Sequence, residues 1–353
     1  MRARIVALDR ATIHKKELSK KNEDVVYDGV SKMKRRLQTY PILIIALIAM
    51  MAMGCKRWIY DDLSHCPQGV HFQFFTQSPC EASPSYPQEI KQIRLFAFDE
   101  HQRLVEEYTL DKVTLSADYL FETRFYQMGN FTFVAWGSSD LSSFDFSKYE
   151  IGKTTKEQMI LSMRRQSHQH STPLAPLYYG STPEPLVITD RSQMGSVFDL
   201  VAINMQEVTN RVHFTIHGLP EEGEYQIAIE DDNGRYTFGG DFATDERFTY
   251  RYPMHKSGKT IQSDFTLMKL AKGRHAKLTI INTLTGEIIY SVNLVEDLIL
   301  YTGQFGNPPY SLECDHDFNI DIVLEKPDNT DTWMVVRVTI NNWNIVYRTE
   351  ILG

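Results

Sequence analysis

His168 and His170 stand two residues apart, a spacing at which two imidazoles could share a metal ion. Ser and Gln surround them and no HExxH-like helix frames them, so the pair reads as a polar surface stretch. Asp315, Asp317, Asn319 and Asp321 begin like a calcium loop. Position six of that loop would be Ile320, where the sharp turn needs Gly, and position twelve would be Lys326, where a bidentate Glu belongs. These carboxylates are expected on the solvent face of a strand. Ser138, Ser139 and Ser196 lack the Gly-x-Ser-x-Gly elbow of a hydrolase, and Gly239-Gly240 is a turn with no GK[ST] to cradle phosphate. Glu221-Glu222 and the run Glu230 to Asp232 read as solvated turns rather than paired glycosidase carboxylates. The expectation is a chain with no catalytic residue, no metal site and no cofactor.

One residue remains whose surroundings specify a reaction. Twelve consecutive apolar residues, Ile42 to Met53, follow the cations Lys34, Arg35 and Arg36 and end at Gly54-Cys55. A helical membrane span needs about 20 residues, so this run suits the h-region of a secretory leader. Ala52 and Gly54 before the cysteine resemble the lipobox of bacterial lipoproteins, where the leader is cut ahead of the cysteine and its thiol carries the lipid. Cys55 is therefore the expected lipid-attachment residue and the first residue of the mature chain. Met33 opens the n-region directly, so residues 1–32 read as an upstream extension and residues 33–54 as the lipoprotein signal peptide.

Removing residues 1–54 takes 11 of the 37 Lys and Arg and 5 of the 45 Asp and Glu, leaving 26 against 40 and a net charge of about −14. That balance argues against nucleic acid or anionic lipid as a partner. After Cys55, three cysteines remain, Cys66, Cys80 and Cys314, which allow one disulfide and one free thiol with the pairing open. None of them has the close spacing of a zinc site.

The elements that must carry these residues are strands. Val70, Phe72 and Phe74 alternate with His71 and Gln73, the pattern of a half-buried strand. Ile93 to Phe98 and Leu104 to Tyr108 flank Asp99-Glu100-His101-Gln102 as a hairpin, and Phe131 to Ala135 forms another strand. From Gly137 to about Leu186 the alternation lapses. Thr154 to Arg165 is expected as a short helix capped by Thr154 or Thr155, and Pro173, Pro176, Pro183 and Pro185 mark a crossover or linker. Beyond it, Val208 to Ile216 is a strand, and Asn233-Gly234 predicts a tight hairpin turn between Tyr225–Glu230 and Arg235–Phe238. Leu278–Asn282 pairs with Ile288–Asn293 around Gly286, and Phe318–Leu324 pairs with Trp333–Ile340. Met334, Val336, Val338 and Ile340 share one face, while Trp343, Ile345 and Tyr347 take the opposite parity. That predicts a bulge or a fresh strand at Asn341-Asn342. The fold class is all-β, as two consecutive sandwiches over residues 55–190 and 191–353.

The chain also resembles the FimB-type fimbrillin anchor lipoproteins of Gram-negative anaerobes. The resemblance rests on Tyr60-Asp61-Asp62-Leu63-Ser64-His65-Cys66-Pro67, Leu95-Phe96-Ala97-Phe98-Asp99-Glu100, Ala135-Trp136-Gly137 and Pro176-Leu177-Tyr178-Tyr179-Gly180. Val208-Thr209-Asn210-Arg211-Val212, Leu278-Thr279-Ile280, Phe318 to Leu324 and Val336 to Trp343 continue it. Basic Lys56-Arg57 and the long N-terminal extension depart from the pattern. The resemblance implies two transthyretin-like Greek-key sandwiches, outer-membrane attachment through Cys55, surface exposure and a place at the base of a fimbrium (pilus). It implies shaft and accessory pilin subunits as partners, joined by β-strand exchange, and a role in anchoring the fimbria and regulating its length. Trp333 to Ile351 is the segment expected to engage a neighbour or guard its own edge. Two other readings keep the same sandwiches. A tip or accessory adhesin would use Trp136, Tyr178 and Tyr179, and a glycan-binding outer-membrane lipoprotein would need exposed platforms among Trp58, Trp136, Trp333 and Trp343. All four tryptophans sit beside or within β runs, which predicts burial.

Overall fold

The computed structural model describes residues 66–191, 194–302, 310–328 and 330–345. The leader, Cys55, Lys56-Arg57, Trp58 and the segment 346–353 lie outside the described residues. Pro67–Arg191 and Ser196–Gly353 form one compact unit. It is built almost wholly of strands, and among the described residues no helix is long and apolar enough to cross a membrane.

In the first sandwich, Gln68–Phe75 is the middle strand of three. It runs parallel to Val197–Asn204 and antiparallel to Phe121–Arg124. Its alternation sends Val70, Phe72 and Phe74 into the core and turns His71 and Gln73 outward, as the period-two pattern requires. The facing sheet runs, in spatial order, Leu104–Asp111, Gln92–Phe98, Gly129–Ser138, Leu177–Ser181 and Gln206–Glu207, with Leu186–Ile188 paired to the start of Gly129–Ser138. The hairpin between Gln92–Phe98 and Leu104–Asp111 is the one the sequence predicts. Asp99 Oδ1 accepts from the backbone N–H groups of His101 and Arg103 and so closes its turn.

Both faces of the two central strands are buried. Ile93, Leu95, Ala97, Phe133 and Ala135 pack on the first core, while Phe96, Phe98, Val134 and Trp136 pack with Leu161, Tyr236 and Phe238 in the second. This double burial explains why Leu95-Phe96-Ala97-Phe98 and Phe133 to Trp136 are apolar at every position, since a strand covered on two sides loses the alternation of a half-exposed one.

The second sandwich repeats the opening of the first. Thr209–His217 runs parallel to Asp317–Glu325 and antiparallel to Thr260–Met268. The full order of that sheet is His255–Ser257, Thr260–Met268, Thr209–His217, Asp317–Glu325, Met334–Ile340 and Trp343–Ile345. Ile288–Asn293, Lys277–Asn282, Tyr225–Asp231, Phe248–Tyr250 and Gln169–His170 form a second sheet, and Arg235–Thr237, Ile160–Met163 and Phe144–Phe146 a third.

Several expectations change here. The stretch from Gly137 to Leu186 is not a bare linker, since it supplies Phe144–Phe146, Ile160–Met163, Gln169–His170 and Leu177–Ser181 to three sheets. Its expected helix is a single 3₁₀ turn, Lys156–Gln158, with Thr155 as N-cap and Gln158 Oε1 accepting from Thr155 N at 3.0 Å. Beyond it Met159, Leu161 and Met163 are buried at period two, and the tertiary alternation overrides the capping signal. Residue 190 does not mark a change of sheet: Val197–Asn204 still belongs with Gln68–Phe75, and the chain passes into the second sandwich around Val208.

Asn233-Gly234 is a corner rather than a hairpin turn. Tyr225–Asp231 pairs with Lys277–Asn282 and Phe248–Tyr250, whereas Arg235–Thr237 pairs with Ile160–Met163, and neither Asn233 nor Gly234 takes a positive φ. Asn233 is fully buried. Its amide donates to Met268 O at 2.9 Å and accepts from the Tyr250 hydroxyl at 3.0 Å, which diverts the residue from turn to core.

Candidate assembly edge at the C-terminal hairpin

The C-terminal hairpin is where the strand pattern meets a sheet edge that is open among the described residues. Met334–Ile340 pairs with Asp317–Glu325, then Asn341 and Asn342 take φ of 45° and 70° and return the chain as Trp343–Ile345. Two successive positive φ values are the requirement of the tight hairpin turn that matches strand twist, and asparagine tolerates them better than most side chains. The predicted fresh strand is therefore present.

Val336 departs from the predicted face. Pairing skips from Val323↔Arg337 to Leu324↔Val335, so Val336 is the extra residue of a bulge and is 51% exposed, while Val335 turns inward with Val338 and Ile340.

The turn is held from below. Asn341 N donates to Asn319 O at 2.9 Å, Asn341 Nδ2 donates to Asp317 O at 3.0 Å, and Asn341 Oδ1 accepts from Asn319 N at 2.7 Å. The Tyr310 hydroxyl donates to Ile340 O at 2.6 Å. Thus Asp317 and Asn319, two members of the calcium-like series, carry the hairpin. The carboxylate of Asp317 accepts from Arg211, and that hydrogen bond holds its pKa below the ordinary carboxylate value. Among the described residues, Trp343–Ile345 pairs only with Met334–Ile340, and Trp343 is 66% exposed. An exposed edge strand bearing an apolar ring is a template for another strand.

Arg211 marks the passage between sandwiches. It also donates to Glu207, in the last short strand of the first sandwich, Gln206–Glu207. Beside it Thr209 and Asn210 are fully buried, with Asn210 Oδ1 accepting from Leu270 N at 2.7 Å. The quoted run Val208 to Val212 is thus a joint. Gly180, in another quoted run, lies where a Cβ would approach Asn204 O to 2.5 Å, so a side chain there would force two strands apart.

Of the three cysteine pairings left open by the sequence, the structure joins Cys80 to Cys314, with Cα atoms 5.9 Å apart, and leaves Cys66 free. No spacing rule could have chosen it, because the two cysteines lie 234 positions apart in the sequence.

The other candidates scatter. His170 is buried against Tyr250 and Tyr252, contrary to its reading as a polar surface residue. Its Nδ1 lies 2.8 Å from Arg164 O, and burial pushes its pKa down. His168 stays exposed. Among the described residues no group of three or more His, Cys, Asp or Glu could hold a metal ion. The adhesin trio is not a platform: Trp136 is fully buried, Tyr178 is buried with its hydroxyl on Glu89 at 2.6 Å, and Tyr179 is half-buried with its hydroxyl on Phe238 O at 3.1 Å. Trp333 is half-buried and donates to Glu287, which leaves Trp343 as the exposed tryptophan among the described residues.

These features define a two-sandwich β protein with a terminal edge that is open among the described residues. The chain belongs to the fimbrillin-A associated anchor proteins Mfa1 and Mfa2, whose family model matches residues 63–349. It is 30% identical over 329 residues, 90% of this chain and 99% of the relative, to the minor fimbrium anchoring subunit Mfa2 of Porphyromonas gingivalis. The solved structure of the fimbrial anchor protein Mfa2 from that organism matches with a TM-score of 0.68 at 28% identity, covering 79% of this chain and 99% of the other. A Bacteroides thetaiotaomicron structure described as a putative polysaccharide binding protein shares the fold, with a TM-score of 0.64 at 18% identity over 80% of this chain and 99% of its own.

Proposed function

We propose that this chain is a lipid-anchored structural subunit that holds a fimbria on the outer membrane and sets its length. Its mature N-terminus is Cys55, acylated, and its partners are shaft and accessory pilin subunits. The observation that carries the reading is family membership over residues 63–349, together with an edge at Trp343–Ile345 that is open among the described residues. The leader that ends at Gly54-Cys55 supports the membrane end of the arrangement. Cys55→Ala tests it: detached filaments in the medium support anchoring, and filaments retained on the cells as before refute it.

Assembly runs through the C-terminal edge, where a pilin strand adds by main-chain hydrogen bonds. Truncation after Asn342 removes Trp343–Ile345 while leaving the hairpin's inner strand in place. Loss of co-purification with the shaft pilin, with lipidation intact, is the expected result. Undiminished co-purification would move the assembly edge elsewhere.

A further inference from the structure

The chain enters the first sandwich at Gln68, and the residues around that entry form one end of the domain. Gln68 lies opposite Val197, Gln68 O accepts from Phe125 N at 3.2 Å, and Gln68 Nε2 donates to Arg191 O at 2.8 Å. Ile188 pairs with Gly129 there. Three of the eleven large apolar side chains exposed among the described residues fall at this end: Tyr126 at 60%, Met128 at 67% and Val187 at 60%.

Their presentation is fixed rather than loose. Phe125, directly before Tyr126, is buried with its ring 4.7 Å from Phe131, and Leu186–Ile188 is held in pairing with the strand that follows Met128. Arg124 adds an exposed cation beside them. A tyrosine, a methionine and an arginine on a pinned loop have the chemistry of a bilayer interface, where amphipathic rings and cations sit at headgroup depth.

Twelve residues, and so thirteen Cα-to-Cα steps, separate Cys55 from Gln68. At full extension they reach about 45 Å, so a lipid on Cys55 keeps this end of the domain within that distance of the membrane. We infer that the Tyr126–Met128 loop and Val187 rest on the lipid surface and act as a second, weak membrane contact beside the acyl chains. The inference builds on the lipid-anchor reading above. One lipid signal orients nothing, whereas a second contact at the domain end would hold the sandwich in one pose on the bilayer.

Hydrogen exchange on the full lipidated protein, in detergent and in phosphatidylethanolamine/phosphatidylcholine vesicles, tests it. Slower exchange at 125–130 and 186–189 in vesicles is expected, lost in Tyr126→Ser/Met128→Ser with exchange elsewhere unchanged. Mass spectrometry of the amino terminus reports the lipid separately. If no lipid is found, the anchor reading fails, and the same chain tethered to nickel-chelating vesicles by an N-terminal hexahistidine still tests the contact. No protection in either tethered form, or protection that survives the double substitution, overturns the inference. Protection that appears only when shaft pilin is added also overturns it, by making this end a protein interface.

Discussion

The two sandwiches start alike and finish differently. In each, the first strand lies between an antiparallel partner and a parallel strand that closes the domain: Val197–Asn204 beside Gln68–Phe75, and Asp317–Glu325 beside Thr209–His217. In the first sandwich that closing strand is the edge. In the second it is interior, because Met334–Ile340 and Trp343–Ile345 add two more strands beyond it. The C-terminal hairpin is thus an addition to a sheet already closed, and its edge can be remodelled without opening the core. The first sandwich differs in the opposite sense, since its central strands serve both cores and cannot shift without disturbing both.

The largest effect should come from that shared wall. Trp136→Ala empties a fully buried site and should cost about 3–5 kcal/mol, lowering the stability of both sandwiches in one cooperative guanidinium transition. Two separate transitions, with only one displaced, would break the comparison.

Asp231 gives the next effect. It is 1% exposed, and burial first of all raises its pKa to about 7, against the opposing hydrogen bond from Asp232 N. Its folded value lies above the unfolded one, so its contribution is fully present below about pH 4 and is lost as pH rises through 7. Asp231→Asn should therefore unfold less readily than the parent above pH 8, by up to about 4 kcal/mol, with the difference vanishing near pH 4. Parallel denaturation curves across that range would contradict the assignment. Asn233→Ala, which strips the Tyr250 hydroxyl and Met268 O of a partner, should lower the stability read from urea unfolding by about 1–3 kcal/mol. Trp343→Ser sharpens the contrast at the small end. Stability should change by less than about 0.5 kcal/mol while co-purification with shaft pilin weakens.

What the sequence disclosed follows from how local each signal is. Alternation within a strand requires only its own residues, so Gln68–Phe75, Thr209–His217 and Asp317–Glu325 were legible, as were the hairpins at Asp99 and Gly286. Partner choice is not local. Asn233-Gly234 has the right dipeptide between two strand-like runs, yet the runs pair with Lys277–Asn282 and Ile160–Met163, and a buried tyrosine claims the asparagine. At Asn341-Asn342 the same chemistry succeeds because the flanking runs pair with each other. The short strands of 144–170 were hidden because each has few residues and draws its burial from a distant sheet. The open edge was legible as a terminal alternating run, whereas the outward turn of Val336 depended on a bulge set by its partner strand.

The Cys80–Cys314 bond has a mechanical consequence. Tension applied between the two ends of the polypeptide passes through the sulfurs and bypasses the backbone between them, so neither end can draw out the stretch they enclose while the bond is intact. Only the segments before Cys80 and after Cys314 can lengthen under pull. The first includes Gln68–Phe75 and the second the C-terminal hairpin, which makes these two pieces the fuse of the molecule and the enclosed strands its protected circuit.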